Sequence, residues 1–240
     1  MTRQKTDRTV LDVFSEPHAY AATVTKRSRW GLAGAMVCLF FVLTAANVYL
    51  VLQDEDLVAD YTEKVLGKPR DGITQERLEE IREATRAALG MPGMKVILGL
   101  VSSASTVLHL LATWLVIACG ISLATKSRAA FGRVILVAAT SLPILMLGTV
   151  VNLLLRLAFR DLTAVAGILP VLEAHGATSV AGSLATSIDV FVIWYLIVFG
   201  FGISASTAIG PGKALMLVFA LWAIVLLCSL LLGQGAGWTM

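Results

Sequence analysis

Five stretches of this chain are each long and apolar enough to cross a lipid bilayer, at residues 31–52, 96–124, 134–155, 188–207 and 214–233. A helix rises about 1.5 Å per residue, so a hydrocarbon core of about 30 Å needs roughly 20 predominantly apolar residues. Lipid cannot bond open backbone groups, so each stretch is expected to be a helix. Apart from Asp189, every formal charge in the chain lies outside them. The composition agrees: 57% of residues are hydrophobic and 15% charged, where soluble domains carry about 25% charged residues. A net charge of only +3 excludes a basic nucleic-acid binder and a disordered polyelectrolyte. The first apolar run follows some thirty polar residues and is about 22 residues long. A cleaved signal core is shorter, about 7 to 15 residues, so this run reads as a retained anchor. The second run exceeds the bilayer thickness, which implies tilt or an end outside the membrane. Cys38, Cys119 and Cys228 all fall within apolar runs without metal or redox spacing and read as small hydrophobes.

Lysine and arginine in the short loops set the expected orientation. The first thirty residues carry Arg3, Lys5, Arg8, Lys26, Arg27 and Arg29; the link between spans two and three carries Lys126, Arg128 and Arg133 without an acid; the link between spans four and five carries Lys213. These ends are expected on the cytoplasmic side, whereas residues 53–95 and 156–182, where acids match or outnumber bases, are expected outside. The sequence therefore predicts an all-α polytopic membrane protein. Its five transmembrane helices form one bundle, with the N-terminus cytoplasmic and the C-terminus outside. A short cytoplasmic segment, residues 1–30, precedes a membrane domain over 31–240, which includes an extracytoplasmic polar segment at 53–95.

Within that polar segment the pattern predicts an amphipathic helix from about 75 to 89. Thr74 is placed to cap it and Ile73 to pack on Leu78, while Leu78, Ile81, Thr85 and Ala88 share a face. Glu79 with Arg82, and Glu83 with Arg86, stand at i,i+3 spacing on the charged side, each pair worth a few tenths of a kcal/mol. Gly90, Pro92 and Gly93 stop the helix. A helix lying on the membrane or on neighbouring helices accounts for this pattern more simply than a dedicated docking site.

Polar residues inside the spans carry the remaining information. Span two has Gly99, Ser102, Ser103, Thr106, His109 and Thr113 on one side, and span four has Gly200, Gly202, Ser204 and Ser206. Small residues at this spacing let helices approach closely, so Gly99, Ser103, Gly200, Gly202 and Ser204 are assigned to helix packing. An ionisable group at bilayer depth costs at least about 2.5 to 3.5 kcal/mol, which makes His109 and Asp189 functional candidates, with Asn152 a third polar member. The structural alternative is strong. A neutral imidazole bonded to a hydroxyl one turn away accounts for His109, and Asp189 near the interface can cap the first turn of span four. Asn47 completes the polar inventory. Pro143 is expected to kink span three, with Thr140 and Ser141 re-satisfying the freed carbonyls. Trp30, Tyr49, Trp194 and Trp238 near the span ends read as interfacial anchors.

The chain holds no Walker loop, no GxSxG elbow, no HExxH and no paired carboxylates in an apolar span. No enzymatic activity, cofactor or metal is therefore expected. Lys213 after Gly210-Pro211-Gly212 reads as a turn before a helix. Five spans do not divide into two matched halves, and no inverted repeat with paired broken helices points to a secondary transporter.

The order of these pieces resembles the Yip-domain family of polytopic membrane proteins, in particular its prokaryotic branch. The resemblance runs through Phe14-Ser-Glu-Pro17 and Arg29-Trp30, the outer Thr74-Gln-Glu-Arg-Leu-Glu-Glu, and the basic loop ending Phe131-Gly-Arg-Val. It continues through Ala138-Ala-Thr-Ser-Leu-Pro143, Ser187-Ile-Asp-Val-Phe-Val-Ile-Trp194, Pro211-Gly-Lys-Ala and a last span with Trp222. It implies five spans with an inner N-terminus, in agreement with the charge count. Eukaryotic members of the family are implicated in vesicle traffic and bind small Rab-type GTPases; the very short inner N-terminal region here is not expected to serve as such a tail. The family brings no catalytic residues.

The expectation is thus a non-enzymatic protein of a prokaryotic cytoplasmic (inner) membrane. It would act as a scaffold or interaction partner, with the lipid bilayer and other membrane proteins as its partners, in homo- or hetero-oligomers and without nucleic acid. The alternative is a transporter or channel subunit using His109, Asn152 and Asp189. The orientation is testable by single-cysteine labelling with an impermeant reagent: position 80 should react from outside and position 128 only from inside, and the reverse pattern would refute the charge reading.

Overall fold

The computed structural model describes residues 30–54, 56, 58, 59, 75–160 and 189–231. Seven helices are found among them: α1 (Trp30–Val51), α2 (Gln75–Gly90), α3 (Pro92–Thr125), α4 (Arg128–Thr140), α5 (Pro143–Phe159), α6 (Val190–Ser206) and α7 (Pro211–Leu231). Four spans, with α4 and α5 counted as one from Ala130 to Phe159, are long and apolar enough to cross a membrane. The fifth, α6, has 17 residues, at the lower edge of the spanning range. The chain is thus an all-α polytopic membrane protein. Spans one and four keep their expected limits within about two residues. Span two is longer than expected, because Pro92 at its first position starts α3 early; its 34 residues reach about 50 Å. Pro211 does the same for α7, so Lys213 lies within the first helical turn rather than in a turn before it. Span three continues past its expected end at 155 to Phe159, which brings Arg156 into the helix.

The third span is the centre of the bundle. Of its most apolar window 67% is buried, against 22%, 33% and 28% for the spans formed by α1, α3 and α7. Its halves pack on α1, α3 and α6, while α7 packs on α3 and α6. Val134, Val137, Ala138, Leu142 and Ile144 are fully enclosed, together with Trp114, Ile117 and Ile121 of α3 and Tyr195, Phe199 and Ile203 of α6. The outward faces of α1, α3 and α7 carry Val42, Val101, Leu108, Met216 and Leu227, as expected where the surrounding solvent is hydrocarbon. On α1 the buried positions Phe40, Thr44, Asn47 and Val51 recur at the three-and-four spacing of a packed helix seam.

Pro143 splits the third span into α4 and α5. Its missing N–H leaves the Ala139 carbonyl without its usual donor, and the backbone tightens so that Leu142 N–H reaches that carbonyl at 3.3 Å. The tightening strips the Ala138 carbonyl of its own i+4 donor. Ser141 N–H takes it at 3.2 Å, and the buried Tyr195 hydroxyl of α6 donates to it at 3.3 Å. Thr140 and Ser141 bond one turn earlier, to Leu136 and Val137, so their hydroxyls reinforce intact turns rather than rescue the freed carbonyl.

Tight ends join the spans. Lys126 sits in the left-handed region at φ 53° and closes α3, with its N–H on Leu123 O and Ser127 N–H on Ser122 O. A lysine there incurs strain of about 1 kcal/mol, partly offset by placing a cation at a helix C-terminus. Two residues then suffice to start α4 antiparallel to α3. Between α6 and α7, the Arg133 guanidinium of α4 bonds the Ser206 carbonyl at 2.9 Å, and the Ser204 hydroxyl bonds the Ile209 carbonyl at 3.0 Å.

The amphipathic helix α2 runs over 75–90 with Leu78 buried and packs on α3. Arg82 pairs with Glu79 at 2.7 Å, and a further pair, Arg77 with Glu80, forms at 2.6 Å. The capping roles of Thr74 and Ile73 lie outside the described residues, as does the side chain of Arg86. Trp30 starts α1 half exposed, with its ring near Gly132; Trp238 lies outside the described residues.

Close helix approach makes specific demands on side-chain size. A Cβ at Gly200 would meet Leu215 of α7 at 2.6 Å from its side chain and 3.2 Å from its Cα. At Gly212 the same atom would meet open space. Gly200→Leu should therefore destabilise the protein by about 1 to 3 kcal/mol and lower its unfolding midpoint in detergent, whereas Gly212→Ala should leave it unchanged or slightly raised. Equal midpoints for wild type and Gly200→Leu would contradict the close α6–α7 packing.

Candidate functional site

The polar side chains of spans three and four meet where the C-terminal part of α5 passes the start of α6. Asn152 and Arg156 lie one turn apart on α5 and face the same way. Asp189 is the N-cap of α6: one carboxylate oxygen accepts from Phe191 N–H at 2.6 Å. The other accepts from the Asn152 amide at 2.7 Å. Arg156 and Asp189 are both buried and attract one another electrostatically. The capping role expected for Asp189 is thus present, joined to an interhelical contact. Breaking one partner of such a buried charged group costs about 3 to 5 kcal/mol, so the cluster holds α5 and α6 in register.

The same end of the bundle gathers further polar groups from α1 and α3. A small cavity of about 40 Å³ is lined by Thr44 of α1, Thr106 of α3, Thr149 and Asn152 of α5, and Asp189 at the start of α6, with Leu145 and Val192 among its apolar neighbours. Asn47, one turn beyond Thr44, donates from its amide to the Thr149 carbonyl at 3.1 Å. Gly99 lets α3 approach the α1 backbone there, since a Cβ on it would stand 3.0 Å from the Ala45 carbonyl oxygen. Gly148 does the same between α5 and α6, where a Cβ would meet the Phe191 side chain at 2.7 Å.

The three candidates named from sequence separate into two places. Asn152 and Asp189 are bonded to each other, whereas His109 is half-buried on α3 and is not among the residues lining the cavity; its carbonyl accepts from the Thr113 hydroxyl at 2.9 Å. Of the packing residues, Gly99 and Gly200 stand at close helix approaches. Ser103 is buried and bonds the Gly99 carbonyl at 2.7 Å, Gly202 is buried, and Ser204 closes the α6–α7 turn. Arg156, Asn47, Gly148 and Tyr195 have roles that were not assigned from sequence. For Arg156 a signal existed: it stands one turn after Asn152, on the face that meets Asp189.

The chemistry open to this cluster is cohesive. The carboxylate is bonded on both oxygens and accompanied by a cation, and among the described residues it has no nucleophile–base pair beside it. Among the described residues no three His, Cys, Asp or Glu side chains gather in a way that could hold a metal ion.

No curated protein and no solved structure matches the chain. The model of the Yip1 domain matches residues 11–232, a range that takes in every span, the α2 helix, the α3–α4 turn and the Asn152–Asp189 contact. The chain therefore belongs to the Yip1 domain family of membrane proteins.

Proposed function

We propose that this protein is a non-enzymatic scaffold that organises other proteins in the membrane, and that it works through its loops and its lipid-facing helix surfaces. The observation supporting this reading is that most of the hydroxyls and amides described inside the bundle are bonded within it. The hydroxyls of Thr44, Ser103, Thr106, Thr113, Thr140, Ser141 and Thr149 bond carbonyls one turn back in their own helices. Asn47 bonds the α5 backbone and Asn152 bonds Asp189. A solute path needs polar groups turned to a continuous space, whereas this cavity of about 40 Å³ has room for only a few waters, at about 10 to 15 Å³ each.

Charge placement supports a cytoplasmic N-terminus and an outer C-terminus, and the resemblance to the prokaryotic branch of the family supports a prokaryotic cytoplasmic membrane. On that reading Lys126, Arg133 and Lys213 stand on the cytoplasmic side with no acid between residues 84 and 160 or beyond 189. They offer a cationic face to anionic lipid and to acidic segments of partner proteins. The partners are other membrane proteins, including further copies of this chain.

Transport is the competing reading, and it is separable by experiment. Purified protein reconstituted in vesicles should give no proton, alkali-cation or solute flux above protein-free vesicles, while crosslinking in native membranes captures defined neighbours. A flux that disappears in folded Asp189→Ala or His109→Ala protein would contradict the scaffold assignment and favour transport.

A further inference from the structure

We infer that the cavity between α1, α3, α5 and α6 is a binding site for an internal water molecule that bridges α1 to the Asn152–Asp189 pair. The inference is independent of the scaffold reading. It rests on the kind of polar atom that the lining offers. The Thr44 hydroxyl donates its proton to the Phe40 carbonyl at 2.9 Å, that of Thr149 to Leu145 at 2.9 Å, and that of Thr106 to Ser102 at 3.0 Å. Each hydroxyl has a single proton and has given it to its own helix, so none of the three donates to a guest. Asp189 adds a carboxylate, which has about four acceptor sites and uses two on Phe191 N–H and the Asn152 amide. One proton of the Asn152 amide is committed to that carboxylate. One turn beyond Thr44, and outside the lining itself, Asn47 Oδ1 is buried without a hydrogen-bond partner among the described residues.

A lining rich in acceptors selects a guest that donates. Two kinds of guest meet that condition, a small cation and a water, and charge decides between them. The Asp189 carboxylate is already acted on by the buried Arg156 cation, which disfavours a second positive charge beside it in a low-dielectric place. A neutral donor leaves the balance intact. Size agrees: about 40 Å³ exceeds the 10 to 15 Å³ or so that one water requires, and the site offers more than the two to four polar partners that such a water needs. Bound there, the water ties α1, whose own side-chain hydroxyl is turned to its helix, to the contact that joins α5 and α6.

Hydroxyl-radical footprinting of the bilayer-reconstituted protein in ¹⁸O water tests this, because radicals formed from a bound water oxidise the side chains around it. Leu145 and Val192 line the cavity and are buried, while Phe199 and Ile203 are buried in the packed core. Oxidation of Leu145 and Val192 well above that of Phe199 and Ile203 is expected. Thr44→Val with Thr149→Val should lower it by at least about threefold, because an apolar wall loses the partners that a buried water needs. Thr44→Ser with Thr149→Ser, which keeps the oxygens, should retain it. Replacing sodium by choline should change nothing. Wild-type labelling of Leu145 no greater than that of Phe199 would mean a dry cavity and overturn the assignment, a result that needs no variant to fold. Loss of labelling with a saturable rise in unfolding midpoint as sodium is added would mean that a cation occupies the site, and would overturn it equally.

Discussion

Hydrocarbon offers no hydrogen bonds, so each polar group carried into the membrane has to find its partner within the protein. That constraint orders most of this structure. It makes every span a helix, it turns serine and threonine hydroxyls back onto their own carbonyls, and it decides where the backbone can be broken. The break at Pro143 falls in a span whose most apolar window is 67% buried, where the Tyr195 hydroxyl can reach the Ala138 carbonyl. The same proline in α1 or α7 would have left a carbonyl facing lipid. The polar cluster of Asn152, Arg156 and Asp189 obeys the same rule, since a carboxylate near a helix start is kept by an N–H, an amide and a cation at once.

The spans were legible in the sequence because apolar length is a one-dimensional quantity, and the helix limits of α1 and α6 show how well it works. Charge places the end of span three too early: Arg156 reads as a loop residue, but its long stem stays buried where Asp189 supplies the opposite charge. Pro92 marks the stop of α2, which ends at Gly90, and at the same time starts α3, while Pro211, which reads as part of a turn, starts α7. The expected participants of the polar site were present in the list of intramembrane polar residues. Their pairing was not, because two helices distant in sequence can turn any of their faces toward each other. Asp189 and Asn152 both lie near the same end of adjacent antiparallel spans, which makes them neighbours in depth, and only packing makes them neighbours in rotation. His109 lay at a different depth and remained apart.

Close approach of helices gives this bundle a second kind of specificity. Gly99 against Ala45, Gly148 against Phe191 and Gly200 against Leu215 place small residues at three different helix pairs, so no single seam carries the fold. Gly148 was hidden in sequence by its apolar surroundings, whereas Gly99 and Gly200 drew attention through the hydroxyls near them. The central span touches three of the others while α1, α3 and α7 keep broad apolar faces outward. A bundle of this form is rigid inside and open to lipid or to other membrane proteins at its periphery, which is the physical basis for reading this Yip1 domain protein as a scaffold.

The account stands on the third span being the interior of a bundle dissolved in lipid, and a lipid-soluble photoactivated carbene reports that directly. In reconstituted bilayers it should insert abundantly into the outward residues of α3 and α7, such as Val101, Leu108, Met216 and Leu227, and scarcely into residues 134–146. Insertion into residues 134–146 at a level equal to that of α3 and α7 would contradict the arrangement.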